Sequence, residues 1–242
     1  MRLITNPGLI KRNALIGRYT SLAAMVVLLG GLASQFVLRQ PQAQLIPLVT
    51  LLIGFLAMNV GTYYSNRWVR PPRPDEALDA ALKGLDDRHV LYHYRLPAAH
   101  MLVAPSGVYA LLPKRQGGVV GYADGKWKHA GYNRFLAFFG QEGLGNPLAE
   151  VAGEISALDK YFAKHLPQAS VPIKGIVVFT DINVAVAAEG APLPVLHTKK
   201  LKDYIRRQPK STTLSRETLA QLDQLLRIDG PIDPTVNGGR RE

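Results

Sequence analysis

Residues 97–118 read PAAHMLVAPSGVYALLPKRQGG, and this stretch decides the fold of the polar two thirds of the chain. It contains two apolar runs, residues 100–104 and 108–112, joined by a Pro-Ser-Gly turn. Proline presets the backbone angle of such a turn, and glycine relieves its steric constraint. The stretch therefore predicts two neighbouring strands, the second of which runs towards Lys114.

Further strands are predicted on both sides of this pair. Upstream, apolar and polar residues alternate from residue 88 to residue 96, which is the period of a strand. Downstream, Asp124-Gly125 between residues 119–123 and 126–130 is a strong signal for a two-residue hairpin. Residues 173–180 are a strand-length run in which residues 176–179 are apolar on both faces, as expected of a buried central strand.

Four helices are predicted around these strands. Asn146-Pro147 is a capping side chain followed by proline at the first helical position, so a helix should start there. The others are expected at residues 75–85, 199–207 and 216–225, with Ser215 as the cap of the last. Helices interleaved with strands predict an α/β (α+β) domain with a central mixed sheet flanked by helices.

Composition narrows the functional classes. The 242 residues include 29 Lys and Arg against 18 Asp and Glu, a formal net charge of +11, which favours anionic partners such as nucleic acid or phospholipid. The chain has no cysteine, which excludes disulfides, thiol nucleophiles and cysteine-based zinc sites.

The first third of the sequence predicts a membrane hairpin. Residues 19–38 and 45–64 are uncharged and apolar, and each is about the length that an α-helix needs to cross a bilayer. Only six polar residues, 39–44, connect them. A cleaved signal peptide or a buried soluble hairpin is the alternative, but the first run is longer than a signal core and a second run follows it.

Basic residues flank the hairpin on one side. Four precede the first span and three follow the second, whereas Arg39 alone lies in the turn. The positive-inside rule then places both termini in the cytoplasm. The expected organisation is a basic cytosolic N-terminus (residues 1–18), a hairpin in the cell membrane (19–64), a folded domain (71–229) and a disordered tail (230–242).

Several short motifs give this domain a family resemblance. Together they resemble the nuclease-related domain, NERD, over roughly residues 75–180. The motifs are Asp75-Glu76 on the first helix, His100 at a strand start, residues 105–109 in the next turn, Lys114 followed by Gly117, Trp127 after the hairpin, and Asn146-Pro147.

The resemblance implies a restriction-endonuclease-like fold with a metal site. Such enzymes hold Mg²⁺ with one carboxylate at a strand start and a second carboxylate two residues before a lysine. In this chain Ala99 and Leu112 occupy these two positions. Only Glu76 and Lys114 remain as candidate catalytic remnants, and Glu150 stands where relatives tend to carry glutamine.

These replacements predict a catalytically degenerate nuclease domain with no metal cofactor, acting in nucleic-acid or protein binding at the membrane. An active metal-dependent nuclease with a rearranged site, which would need Mg²⁺, is the first alternative. Glu150 and Glu154, four residues apart on one helix face, are its candidate relocated ligands. A membrane-associated scaffold is the second alternative.

Basic residues provide the candidate nucleic-acid surface, because cations in one short span can follow a phosphate backbone. The same cations could instead face anionic lipid or solvent. Lys114 itself could be a solvated edge charge, and Glu76 could simply stabilise a helix dipole. The candidates for binding DNA or RNA are Lys114, Arg115, Lys199, Lys200, Lys202, Arg206 and Arg207.

Overall fold

The structure is a computed structural model, and it describes residues 1–37, 45–130, 142–209 and 216–226. These residues form two compact units: 1–6 with 74–130, 143–209 and 216–226, and 7–37 with 45–73 and 142. The predicted turn at 39–44, the cap Ser215 and the predicted tail at 230–242 lie outside the described residues.

Two long helices make up most of the second unit. Helix α1 spans Pro7–Val37 and α2 spans Leu45–Trp68. Both are long and apolar enough to cross a membrane by length and composition, with mean hydropathies of 1.6 and 2.0 over their apolar windows. The predicted pair of apolar helices is therefore confirmed, and α1 extends beyond the uncharged stretch that predicted it.

Small residues line the contact between α1 and α2, while large apolar side chains point outwards. Close approach of two backbones requires glycine where they touch. A side chain added at Gly31, Gly54 or Gly61 would collide with Thr50, Leu28 or Ser21 of the facing helix. Phe36, Leu45 and Leu48 are among the large side chains exposed on the outer surface, at 76, 66 and 63%.

The first unit is built on a six-stranded mixed sheet in the order β1-β2-β3-β4-β7-β9. Strands β2, β3 and β4 pair antiparallel, and the remaining neighbours pair parallel. The predicted mixed α/β class is confirmed. The strands are β1 (Arg2–Thr5), β2 (Val90–His93), β3 (His100–Ala104), β4 (Gly107–Lys114), β7 (Ile173–Phe179) and β9 (Val195–His197).

Strand β1 comes from the segment that sequence analysis treated only as a basic N-terminus. Its register with β2 joins Arg2 to Val90 and Thr5 to His93. Ile4 packs into the core at 8% exposure, whereas Leu3, on the other face of the strand, is 48% exposed. The strand therefore precedes α1 in the chain yet belongs to the sheet that follows α2.

Helices cover both faces of this sheet. Helix α3 (Pro74–Leu82) and α5 (Thr198–Arg207) pack on one face around Tyr109. Helix α4 (Pro147–His165) and α6 (Arg216–Leu225) pack on the other, where Phe162 and Leu222 are buried. Asn146 accepts a hydrogen bond from the Ala149 amide, so the predicted cap of α4 is confirmed.

The predicted hairpin forms, but it does not continue the meander of β2, β3 and β4. Strands β5 (Val119–Ala123) and β6 (Lys126–Ala130) belong to a second sheet in the order β6-β5-β8. Its third strand, β8 (Ala185–Ala187), pairs parallel with β5. The chain leaves the first sheet at residues 115–118, between β4 and β5. The strand next to β4 in the first sheet is therefore β7 and not β5.

Candidate functional site

The end of β4 carries a partly buried ion pair. Lys114 lies two residues after Leu112 and shares its face of the strand. Its Nζ is 2.7 Å from Glu150 Oε1 on α4 and donates to the Leu144 carbonyl at 3.0 Å. The side chains of Lys114 and Glu150 are 10 and 23% exposed. Lys114 is thus paired inside the domain and is not a solvated edge charge.

The loop before α4 is shaped around this pair. Gln116, two residues after the end of β4, donates to the Gly143 carbonyl at 3.0 Å, so Lys114 and Gln116 bind consecutive carbonyls of this loop. Gly145 has φ +67°, and a Cβ there would lie 2.9 Å from Glu150 Oε1. The Lys114–Glu150 pair therefore fixes the start of α4 against the sheet.

The positions expected to bind metal do not fit a divalent cation. Met101 pairs with Ala110 between β3 and β4, and extending this register places Ala99 opposite Leu112. Neither residue has an oxygen ligand in its side chain, and Leu112 packs in an apolar cluster with Val151. Lys114, two residues after Leu112, carries a positive charge itself, which disfavours a metal cation next to it. Among the described residues, no three His, Asp or Glu side chains cluster closely enough to hold a metal.

Glu76 is the other residue that the sequence predicted as a catalytic remnant. It is half-buried in the first turn of α3, which packs on the sheet face opposite to α4. The side chain of Lys114, at the end of β4, is bound to α4 instead. The two predicted residues therefore contact helices on opposite faces of the sheet.

Two buried histidines form a separate polar group at the facing ends of β2 and β3. His93 Nδ1 lies 2.7 Å from His100 Nδ1, and His93 Nε2 lies 2.9 Å from Asp79 Oδ1 on α3. In a neutral pair, His93 donates to the carboxylate and accepts the proton of His100. Both rings are buried, at 0 and 2% exposure. The bond between His93 and Asp79 therefore connects α3 to the sheet.

The predicted basic residues of α5 divide into two groups. Lys202 and Arg206 donate to the Lys83 and Gly84 carbonyls at 3.1 and 2.9 Å, which satisfies the C-terminal end of α3. Lys199, Lys200 and Arg207 are exposed, as Arg206 is, but among the described residues they make no such bond to the end of α3. We call these last three the α5 cations. Arg115 is half-buried after β4.

A groove of about 740 Å³ opens beside the α5 cations. Apolar side chains from β8, β9 and their connection line it, and Lys199, Lys200 and His197 lie at its α5 end. His197 caps α5 by accepting from the Lys199 amide at 3.1 Å. Sequence analysis missed this groove because β8 and β9, at three residues each, are too short to show a period.

Sequence analysis also missed the partner of Lys114. Glu150 is 36 residues away, and the sequence indicated it only as a position where relatives tend to carry glutamine and as a relocated metal ligand with Glu154. The two residues meet because β4 is next to β7 and α4 packs across both strands. No local sequence signal reports such a contact.

If the register is right, restoring the missing acids should create a metal site. The double variant Ala99→Asp and Leu112→Glu is expected to bind Mn²⁺ or Mg²⁺, because it places two carboxylates opposite each other between β3 and β4. Titration calorimetry on the folded full chain measures this, with the natural chain as the non-binding control. A folded double variant that binds neither metal would contradict the register.

Comparison with known proteins gives one family. Residues 74–180 match the family model described as the nuclease-related domain, NERD. Comparisons with curated proteins and with solved structures returned no match. The matched residues begin at α3, end directly after β7, and include β3, β4 and the Lys114–Glu150 pair. Residues 74–180 are thus a nuclease-related domain, and the predicted family resemblance is confirmed.

Proposed function

We propose that this protein is a membrane-anchored NERD domain that binds nucleic acid at the cytoplasmic face without cleaving it. The observation that carries the proposal is the Lys114–Glu150 pair. The ammonium group is bound by a carboxylate and a carbonyl in a buried position. A lysine held in this way is engaged in packing α4 and is withdrawn from an incoming phosphate.

The residues around the pair support the absence of metal-dependent cleavage. Mg²⁺ is bound through one or two well-placed carboxylates together with substrate phosphate. The two expected positions are Ala99 and Leu112, and the nearby Glu150 already neutralises Lys114. The site therefore lacks the ligands through which the family's implied chemistry would proceed.

The two long helices support the membrane anchor. Their large side chains face outwards, which is costly in water and favourable in lipid. Strand β1 precedes α1 and pairs with β2, which follows α2. A chain that crosses a bilayer twice returns to its starting side, so this pairing agrees with a hairpin whose two ends share one compartment. The basic flanks favour the cytoplasm.

The α5 cations support nucleic acid as the partner. They are exposed, whereas Lys202 and Arg206 are engaged at the end of α3. Lysines that neutralise backbone phosphates release bound counterions, which makes binding sensitive to salt. Exposed cations on a net positive chain meet this requirement.

Neutralising two of these cations should weaken binding in a salt-dependent way. A plot of log affinity for duplex DNA against log salt concentration has a negative slope, to which each phosphate contact contributes about −0.9. For Lys199→Gln with Lys200→Gln, we expect this slope to become less negative by about 2. Fluorescence anisotropy with the full chain in detergent measures the slope. The control Lys160→Gln with Lys164→Gln removes two exposed charges from α4.

The control variant is expected to retain the natural slope. Equal losses in both variants would mean that net charge alone attracts the DNA, which would contradict an α5 interface. If the natural chain binds no nucleic acid at low salt, the proposal fails and a membrane-associated scaffold becomes the better account.

A further inference from the structure

The groove beside α5 has apolar walls. Val186 of β8 and Val195 of β9 line it, together with Val184 and Leu193 from the adjoining segments. Within the described residues, β8 and β9 are outer strands of their sheets. A groove between two outer strands offers backbone hydrogen-bonding groups as well as apolar side chains to a ligand.

One aromatic ring in this groove is held rigidly. His197 Nδ1 accepts from the Lys199 amide at 3.1 Å, and its Nε2 donates to the Asp181 carbonyl at 3.0 Å. Because one nitrogen accepts and the other donates, the two hydrogen bonds fix the tautomer and the orientation of the ring. The face of a fixed aromatic ring is a surface on which a nucleobase can stack.

The charges around the ring favour an anion. Lys199 and Lys200 occupy the first turn of α5, where the helix already carries a partial positive charge and no acid is present. Among the described residues that line the groove, Glu189 alone is acidic. Two lysines at this end of a helix are electrostatically unfavourable unless a negative group binds next to them.

These features call for a ligand that combines phosphate with a flat apolar surface. We infer that the groove binds a single-stranded nucleic acid, with an unpaired base against His197 and its phosphates at Lys199 and Lys200. The inference rests on the proposed function and names the form of nucleic acid. A duplex keeps its bases stacked inside, so it could use the lysines but not the groove.

Tyr204 lines the same groove. It packs against the apolar cluster that contains Leu201 and Ile205, and burial raises the pKa of its hydroxyl. The groove thus offers the ring of His197 and two cations to one nucleotide.

Two substitutions at His197 separate stacking from helix capping. Asparagine is a good cap without an aromatic ring, whereas phenylalanine keeps a ring and cannot cap. With the full chain in nanodiscs of zwitterionic lipid, we expect His197→Asn to weaken single-stranded DNA binding about tenfold and His197→Phe to preserve it, since base stacking on one ring has this magnitude. Duplex binding should stay unchanged in both variants.

The outcomes separate this inference from the proposed function. Loss of single-strand affinity in His197→Asn alone supports it, with anisotropy as the readout. If single strands and duplexes bind equally and neither variant changes them, the groove inference is overturned and the proposed function survives. If the natural chain binds neither, both are overturned. An anionic lipid or acidic peptide that copurifies with the natural chain but not with Lys199→Gln and Lys200→Gln would overturn the inference by identifying another occupant.

Discussion

Replacing Glu150 with leucine is expected to lower the free energy of unfolding of the domain by about 3 kcal/mol. The substitution leaves the Lys114 ammonium without its carboxylate in a position that is 10% exposed. Removing one partner of a buried ion pair is strongly destabilising, because an uncompensated charge remains inside the protein. Denaturant unfolding of the full chain, followed by tryptophan fluorescence, measures the change.

A second substitution identifies the cause. Combining Glu150→Leu with Lys114→Met removes both charges, so the double variant should regain most of the lost stability. Glu217→Leu on α6 is the control, because it removes an exposed carboxylate and should change stability by less than about 0.5 kcal/mol. A Glu150→Leu chain as stable as the natural one would contradict the structural role of the pair.

The substitution Ile4→Ala is expected to lower the free energy of unfolding of the domain by about 2 to 4 kcal/mol, although Ile4 precedes both long helices in the chain. Its side chain is 8% exposed and packs in the cluster that contains Leu158 and Phe162. A large-to-small change in a core loses burial and leaves a cavity. Leu3→Ala is a matched control, since Leu3 is 48% exposed on the neighbouring position of β1.

The pairing of β1 with β2 also predicts how a shortened chain behaves. A fragment of residues 71–242 lacks β1 and leaves the outer edge of β2 unpaired. Unpaired strand edges promote association between chains. We expect this fragment to aggregate or unfold more readily than the full chain, and size-exclusion chromatography with thermal unfolding checks it. A monomeric fragment with natural stability, or equal effects of Ile4→Ala and Leu3→Ala, would contradict the role of β1.

Local signals in the sequence predicted those elements that local interactions specify. The Asp124-Gly125 turn and the Asn146 cap act within a few residues, and both form as expected. Strands β1, β8 and β9 are three or four residues long, and no longer alternating stretch of sequence around them predicted a strand. Their places depend on pairing with distant strands, which short segments do not encode locally.

For the candidate site, the sequence predicted two positions that lack a metal ligand. The family resemblance implied that Ala99 and Leu112 stand at these positions, and extending the register of β3 and β4 places them opposite each other. The state of Lys114 could not be read, because its burial depends on Glu150 and on the loop before α4. The division of the α5 basic residues likewise depends on where α3 ends, as Lys202 and Arg206 show.

The most direct test of the account is a cleavage and binding assay in the same samples. The full chain in nanodiscs is incubated with labelled single- and double-stranded DNA and RNA. Each sample is prepared with and without Mg²⁺ or Mn²⁺, and at low and moderate salt concentration. The account predicts salt-sensitive binding without cleavage in every metal condition. Metal-dependent cleavage that is lost in a folded Lys114→Met variant would contradict it and would identify an active nuclease.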